Sequence, residues 1–311
     1  MKTIQKTNSI FKAIAPIIFF VFASLVSSTK IYAQDTTETN QTVNDSELKT
    51  APNDELQERV DEEQDKATTK AESSLVSEAI DALAETENAI EAIDDNQKDK
   101  ALEALARATG KLDIILARSP ELALVPADYT ITVIDIAPND AESIEDTRSQ
   151  ARSALSKGDI PKARELLNNL RSEILTTVDN LPLATYPQAM KEAARLLDSD
   201  KTAEAREVLA TALSTLVVTE TAQPIPVISA ENLIDKASDR EDKDKSLELL
   251  SEARTQLELA QNLGYAESDP EYAELKEEIE SLKSNIEEDE NTDNAFSQLK
   301  SKISGFFDDI F

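Results

Sequence analysis

Four segments of the chain repeat one arrangement of apolar positions. In each, a small residue is followed by apolar residues four, seven and eleven positions later, a spacing that puts them on one face of a helix. The segments begin at Ala101, Ala163, Ala205 and Ser246 and read ALEAL, ARELL, AREVL and SLELL. The pattern therefore predicts four helices that reach at least Leu112, Ile174, Leu216 and Leu257.

A short polar break precedes each of these helices, and another apolar-periodic run precedes each break. The breaks are 94–99, 157–159, 198–201 and 239–243, and examples of the preceding runs are 151–155 and 193–197. Each unit thus predicts a helix, a tight turn and a second helix. The last three units lie 42 and 41 residues apart, which is in the range of helical repeats. A generic helical bundle is the alternative.

Proline-bounded extended segments separate the predicted hairpins. Residues 129–136 alternate, are rich in β-branched side chains and lie between Pro126 and Pro138, which indicates a strand. Two further segments, 181–187 and 223–228, are extended in pattern but contain proline, so we expect sheet edges or plain extended chain. The predicted fold class is mainly α: repeated antiparallel helical hairpins with a small β element of two or three short strands.

The N-terminal residues predict export. Three lysines precede an apolar run, 13–26, and a small residue stands at Ala33, so residues 1–33 have the pattern of a signal peptide cleaved after Ala33. An uncleaved anchor is the alternative. Residues 34–72 are polar and acidic and are predicted to be a disordered linker, with a helix around 54–70 left open. The helical domain then spans 73–288.

The C-terminal segment, 289–311, is predicted to be an acidic loop followed by a phenylalanine-rich amphipathic helix. Its apolar positions recur at helical spacing: Phe296, Leu299, Ile303, Phe306, Phe307 and Ile310. One interpretation is that this helix packs back on the body. The other is that Phe296, Phe306 and Phe307 contact a protein partner, a second copy or a membrane, although Asp308 and Asp309 disfavour an anionic membrane.

Composition and charge exclude several functions. The formal net charge is −30, which argues against nucleic acid as a partner, and the chain has no Cys and no His. Nucleophilic triads with histidine, thiolate chemistry and the usual zinc sites are therefore excluded. With no phosphate-binding glycine loop either, we expect no cofactor and no enzymatic activity. Acidic clusters at 239–244 and 287–293 leave weak binding of divalent cations open.

The middle of the chain resembles the YfdX family of exported bacterial proteins. Three stretches carry the resemblance: 154–167, then 181–187 with 193–197 and 205–209, and finally 212–228 with the Leu-Gly-Tyr end at Tyr265. We expect it to cover roughly residues 73–285. It implies a mostly helical fold with small β elements, a periplasmic location, an association with acid and envelope stress, and no catalytic residues.

Two functions follow as hypotheses. The first is a binding protein that acts through a protein partner or self-association, with a pH response that carboxylates drive near pH 4–5, because histidine is absent. The second is a periplasmic small-ligand binding module with a pocket between the hairpins, for which Tyr129 and Tyr186 are the expected aromatic contacts.

Overall fold

Eleven helices and one three-stranded sheet make up the part of the chain that the structure, a computed structural model, describes. This part comprises residues 53–239, 242–265, 270–289 and 291–310. The elements are α1 Asn53–Ser74, α2 Ser77–Asp94, α3 Lys98–Arg118, β1 Leu124–Asp135, α4 Ala141–Ser156, α5 Ile160–Asn168, β2 Ser172–Pro182, α6 Tyr186–Asp198, α7 Thr202–Ser214, β3 Val217–Pro224, α8 Ile225–Ser238, α9 Lys243–Leu263, α10 Pro270–Glu287 and α11 Asp293–Ile310. The predicted signal peptide, 1–33, lies outside the described residues.

Helical hairpins alternate with strands along the chain. We call the pairs α2–α3, α4–α5, α6–α7 and α8–α9 hairpins 1 to 4; one strand follows each of the first three. The predicted fold class, mainly α with repeated hairpins and a small β element, is confirmed.

The first three hairpins turn in the same way. Asn96, Gly158 and Asp200 occupy the position just after the first helix and all have positive φ. In each turn the next residue donates its backbone N–H to a carbonyl five residues back, for example Lys201 to Leu196 at 2.9 Å. This left-handed helix ending favours Gly, Asn or Asp, which explains why polar breaks mark the hairpins in the sequence.

Hairpins 1 and 3 pack together around the larger hydrophobic cluster. Alanines such as Ala104, Ala108 and Ala193 are fully buried there and allow the helices to lie close together, while Leu209 fills the space between them. Arg206 makes two hydrogen bonds to Asp94 across the same contact, at 2.6 and 3.1 Å. A second cluster joins hairpin 4 to α10 and α11.

The sheet is antiparallel in the order β1-β2-β3. Its central register aligns Ile131 with Thr176 and Thr176 with Thr221. Helices α1 and α8 pack on the face that carries Ile131 and Ile174. The sheet therefore has one face that two helices cover.

Three of the expected helix and strand boundaries are wrong. Ile174 and Leu216 lie outside the helices to which the periodic pattern assigned them: α5 ends at Asn168, and Ile174 belongs to β2. The segment 225–228, expected to be extended, begins α8, with Pro226 in its first turn. Proline suits this position because its missing N–H needs no partner there.

The predicted disordered linker, 34–72, is helical over its described part. Helix α1 occupies 53–74 and confirms the alternative of a helix around 54–70. Val60 and Ala71 are buried, and Leu56 packs beside Val60 in the cluster with Ile174 and Ile228. These few apolar residues face the sheet at helical spacing, so a polar helix can still be held by tertiary contact.

Candidate functional site

A cavity of about 660 Å³ lies between α1, the covered face of the sheet and α8. We call it the α1 cavity. Its apolar wall consists of Ala67, Ala71, Ile174, Val178, Val227 and Ile228. Its charged groups are Arg59, Glu63, Lys66 and Lys70 from α1, Glu231 and Asp235 from α8, and Lys300 from α11. The volume falls within the usual range of small-molecule sites.

Helical spacing brings these groups together. On α1, Arg59, Glu63, Lys66 and Lys70 recur every three or four residues, so they follow one side of the helix. On α8, Val227, Glu231 and Asp235 recur every four residues. Because both helices lie on the same sheet face, the two charged rows face one cavity.

Two of the three carboxylates already have donors. Glu63 is buried; its Oε1 accepts from Lys66 at 2.7 Å and its Oε2 from Gln223 at 3.2 Å. Asp235 pairs with Lys300 at 2.6 Å. These two carboxylates thus have their charges compensated within the protein.

Glu231 is different, because it makes no hydrogen bond or ion pair with any described residue. Burial raises its pKa to about 7, and Glu63 and Asp235 add to the rise while Arg59 and Lys66 oppose it. For this site we therefore expect a pH response near neutrality rather than near pH 4–5. Desolvation of one carboxyl group moves its titration to neutral pH without a histidine.

Arg59 also has an unused donor. Its guanidinium lies 3.2 Å from Glu62 and 3.5 Å from Glu63, yet its buried Nε has no partner. The Lys70 ammonium pairs with no described residue either. The Arg59 Nε is enclosed by the protein and Lys70 is exposed to solvent, so Glu231 is the ionisable group of the cavity that is partly buried and has no partner among the described residues.

Comparison with known proteins identifies the segment that supplies the sheet. Residues 82–222 match the family model described as YfdX protein. This segment belongs to the YfdX family. The resemblance is confirmed there, although the match ends before the Leu-Gly-Tyr motif. A solved structure of YfdX from Salmonella Typhi is similar at 18% identity over 49% of this chain and 93% of that chain, with a TM-score of 0.34. No curated protein matches the chain.

The α1 cavity lies partly inside and partly outside the YfdX segment. β2 and all but the last two residues of β3, which form its floor, fall within 82–222, whereas α1, α8 and α11 lie outside. All of the charged groups named above come from outside the segment. The residues that give the cavity its charges therefore lie in parts of the chain outside the family match.

The two tyrosines expected to contact a ligand do not line the α1 cavity. Tyr129 is half-buried on β1, and its hydroxyl donates to Glu72 of α1 at 3.0 Å. Tyr186 begins α6 and is fully buried in the larger cluster, where burial raises its pKa to about 12. It borders a second groove, between α6 and α7. The structure does not bring the two residues together.

The three phenylalanines of the C-terminal helix are described to different extents. Phe296 is buried in the second cluster with Leu299 and Ile303, which agrees with the interpretation that the helix packs back on the body. Phe306 and Phe307 lie in α11, but their side chains are outside the described part. Contact of these two residues with a partner stays a prediction.

The two acidic clusters meet around a lysine. Lys243, from the first cluster, donates to Asp289 of the second at 2.8 Å. No group of three acidic side chains among the described residues is placed to hold a metal ion. Within the same residues, no helix has the length and apolar character needed to cross a membrane. Weak binding of divalent cations at these clusters stays a prediction.

One feature of the amino-acid sequence does point to the cavity. Arg59, Lys66 and Lys70 interrupt an otherwise acidic segment at helical spacing. Glu231 could not have been found in this way, because its burial depends on α1 packing against α8.

Proposed function

We propose that this protein is an exported, non-enzymatic binding protein that holds a small ligand in the α1 cavity. The observation that carries the proposal is a cavity of about 660 Å³ with an apolar wall, lined also by the Glu231 carboxyl, which has no partner among the described residues. Of the two functions expected from the sequence, the small-ligand module is the better supported. A ligand that forms a hydrogen bond with Glu231 would satisfy a carboxyl group that is otherwise left without a partner.

The expected carboxylate-driven pH response belongs to the same site. Glu231 is neutral below about pH 7 and charged above it, so the net charge of the cavity changes near neutrality. A ligand that prefers one protonation state would be bound and released over this range.

A cavity-filling variant tests the proposal. Ala67 lies on α1 at the cavity wall, whereas Ala106 is exposed on α3 and serves as the matched control. In a thermal-shift screen of small organic molecules, we expect Ala67→Phe to abolish every ligand-induced shift and Ala106→Phe to keep them. Shifts that persist in Ala67→Phe would place binding elsewhere.

Self-association is the second candidate function, and hairpin 2 is the observation that favours it. Hairpins 1 and 3 share one cluster and hairpin 4 shares another with α10 and α11, but hairpin 2 leaves Leu155, Ile160 and Leu167 between 44% and 49% exposed. It also carries five basic and five acidic side chains in a chain of net charge −30. A second copy could therefore pack on it without charge repulsion.

Changing these three residues to serine tests this candidate. We expect sedimentation at micromolar concentration to show an assembly for the parent protein and a monomer for the triple variant. A variant with Ile80→Ser and Ile114→Ser, at residues of similar exposure on hairpin 1, is the control and should assemble normally. A monomeric parent protein would refute self-association.

Export to the periplasm and a role in acid or envelope stress complete the proposal. The pattern of residues 1–33 and the membership of 82–222 in the YfdX family support it. Mass spectrometry of the protein from cell envelope extracts should find an N-terminus at Gln34. Recovery of the chain with residues 1–33 intact in the cytoplasm would contradict export.

A further inference from the structure

One edge of strand β3 is unpaired within the part of the chain that the structure describes. β2 is the central strand of the sheet, and β3 pairs with it along one side over the whole of its length. On the other side, no backbone hydrogen bond joins 217–223 to any described residue. Alternate residues of an antiparallel strand direct their N–H and C=O groups away from the partner strand, so this edge offers roughly six to eight free groups.

The β3 edge lies at the surface and lacks the features that usually protect such an edge. Residues 217–221 are all exposed, including Val217 at 37% and Val218 at 45%. Lysine, proline and β-bulges commonly keep a free edge from pairing with another strand. β3 has no lysine, proline occurs only as its last residue, and its register with β2 is unbroken. β1, at the opposite edge, contains Pro126 and a bulge beside it. β3 is therefore the edge more suited to an added strand.

The strands carry acidic side chains and no basic ones. Two acidic residues lie in β1, two in β2 and one in β3, whereas none of these strands contains Lys or Arg. Glu220 of β3 is exposed, and Asp179 of β2 is aligned with Val218 on one side and with Asp128 on the other. Burial, and after it the charge of Asp128, raises the pKa of Asp179. A positively charged partner is therefore favoured at this edge.

The two faces of the sheet differ in charge beside β3. Side chains alternate between the faces along a strand, so Glu220 and Thr221 lie on opposite faces. Thr221 is on the face that α1 covers, where Lys66 and Lys70 line the same cavity. An incoming strand is therefore favoured when its basic side chain lies across from Glu220 and its side chains on the α1 side are uncharged.

A second copy of β3 fits this edge less well. If two copies paired in an antiparallel register centred on Glu220, the two glutamates would lie directly opposite each other, which is destabilising. A shifted register separates them, but it shortens the paired segment and still brings two acidic sheets side by side. A lysine or arginine opposite Glu220 replaces this repulsion with an attraction.

We propose that the β3 edge binds an extended peptide segment of a partner protein in which β-branched residues flank one lysine or arginine. The segment adds a fourth strand to the sheet, and its backbone pairs with the free groups of 217–223. Its basic side chain lies across from Glu220, and a β-branched side chain covers Val218. The proposal concerns the edge of the sheet and does not depend on a ligand in the α1 cavity.

Two blocked synthetic peptides test the proposal: Thr-Val-Thr-Lys-Thr-Val-Thr, and the same peptide with Glu in place of Lys. At low salt we expect the full chain to bind the lysine peptide about tenfold more tightly, and the difference should shrink as the ionic strength rises. Glu220→Lys should reverse this preference. Glu91→Lys, the same change of charge on an exposed residue of α2, should keep it. Fluorescence anisotropy of the labelled peptides measures the affinities.

Hydrogen exchange of the protein locates the bound peptide. We expect the lysine peptide to slow the exchange of backbone amides within 217–223 and to leave β1 unchanged. Slower exchange in β1 instead, equal binding of the two peptides, or binding of neither would overturn the proposal. Exchange within 217–223 that slows as the concentration of the protein alone rises would assign the edge to a second copy, and this result would also overturn it.

Discussion

The hydroxyl of Tyr265 donates a hydrogen bond of 2.7 Å to Oε2 of Glu173, and it accepts one of 3.1 Å from the backbone N–H of Ser172. Gly264, with φ of 105°, ends α9 and directs Tyr265 toward the start of β2. Glu173 is buried, and Arg171 donates to its other oxygen at 2.6 Å. The Leu-Gly-Tyr motif therefore ties hairpin 4 to the sheet.

Removing this hydroxyl should destabilise the protein. We expect Tyr265→Phe to lower the free energy of unfolding by about 1–3 kcal/mol, because a buried carboxylate loses a donor. Tyr129→Phe is the matched control: its hydroxyl bonds an exposed glutamate, and its loss should have a clearly smaller effect. Urea denaturation measures both. Equal losses of unfolding free energy in the two variants would contradict a larger contribution from the buried hydrogen bond between Tyr265 and Glu173.

Glu231 should make stability depend on pH between about 4.5 and 7. Its folded-state pKa is raised, so its stabilising contribution is present below the unfolded value of 4.5 and is lost as the pH rises through about 7. The loss is roughly 3 kcal/mol at most. Glu231→Gln should therefore be more stable than the parent protein at pH 8 and similar to it at pH 4.5, in denaturant titrations at each pH.

An exposed glutamate provides the control for this pH effect. Glu91, on α2, is exposed, and Glu91→Gln should leave the pH profile of stability unchanged. If the free energy of unfolding of Glu231→Gln changes with pH as steeply as that of the parent protein, Glu231 does not titrate near neutrality.

Two glycines should respond oppositely to alanine. Gly158 has φ of 76° in the turn of hairpin 2, so Gly158→Ala should destabilise by about 1 kcal/mol. Gly110 lies within α3, and a Cβ there would meet no atom within 4 Å, so Gly110→Ala should stabilise by about 0.5–1 kcal/mol. Thermal unfolding of the two variants measures the difference, and shifts of the same sign would contradict it.

At the contact between hairpins 1 and 3, buried apolar side chains should contribute more to stability than the ion pairs at the surface. Leu209 is fully buried on α7, and Leu209→Ala should cost about 2–5 kcal/mol. Arg206, three residues earlier on the same helix, pairs with Asp94 at the surface, and Arg206→Ala should have a much smaller effect. Chemical denaturation would contradict this ranking if the arginine variant were the less stable one.

Sequence periodicity predicted the hairpins because the same local signals recur: apolar residues at helical spacing and a residue that tolerates positive φ. The element boundaries that it predicted wrongly are those that tertiary contacts determine. Ile174 continues the helical spacing of α5, yet it enters β2, where it pairs with Val133 and Gln223 and is buried by α1. Nothing within 163–174 reveals that partner strand.

The candidate site was predicted least well, for a related reason. Tyr129 and Tyr186 were predicted to contact a ligand because they are aromatic. Tyr186 instead packs in the hydrophobic core, and Tyr129 lies outside the cavity. Glu231 acquires its properties only from α1, and α1 was predicted to be a disordered linker because its few apolar residues seemed insufficient. Val60 and Ala71 show that a helix can be held by a sheet face with little apolar surface of its own.

The most direct test is to measure the pKa of Glu231 by NMR of its side-chain carboxyl carbon. We predict a pKa of about 7, because burial and the neighbouring carboxylates Glu63 and Asp235 disfavour ionisation. A pKa near the ordinary value of 4.5 would contradict the pH response of the α1 cavity.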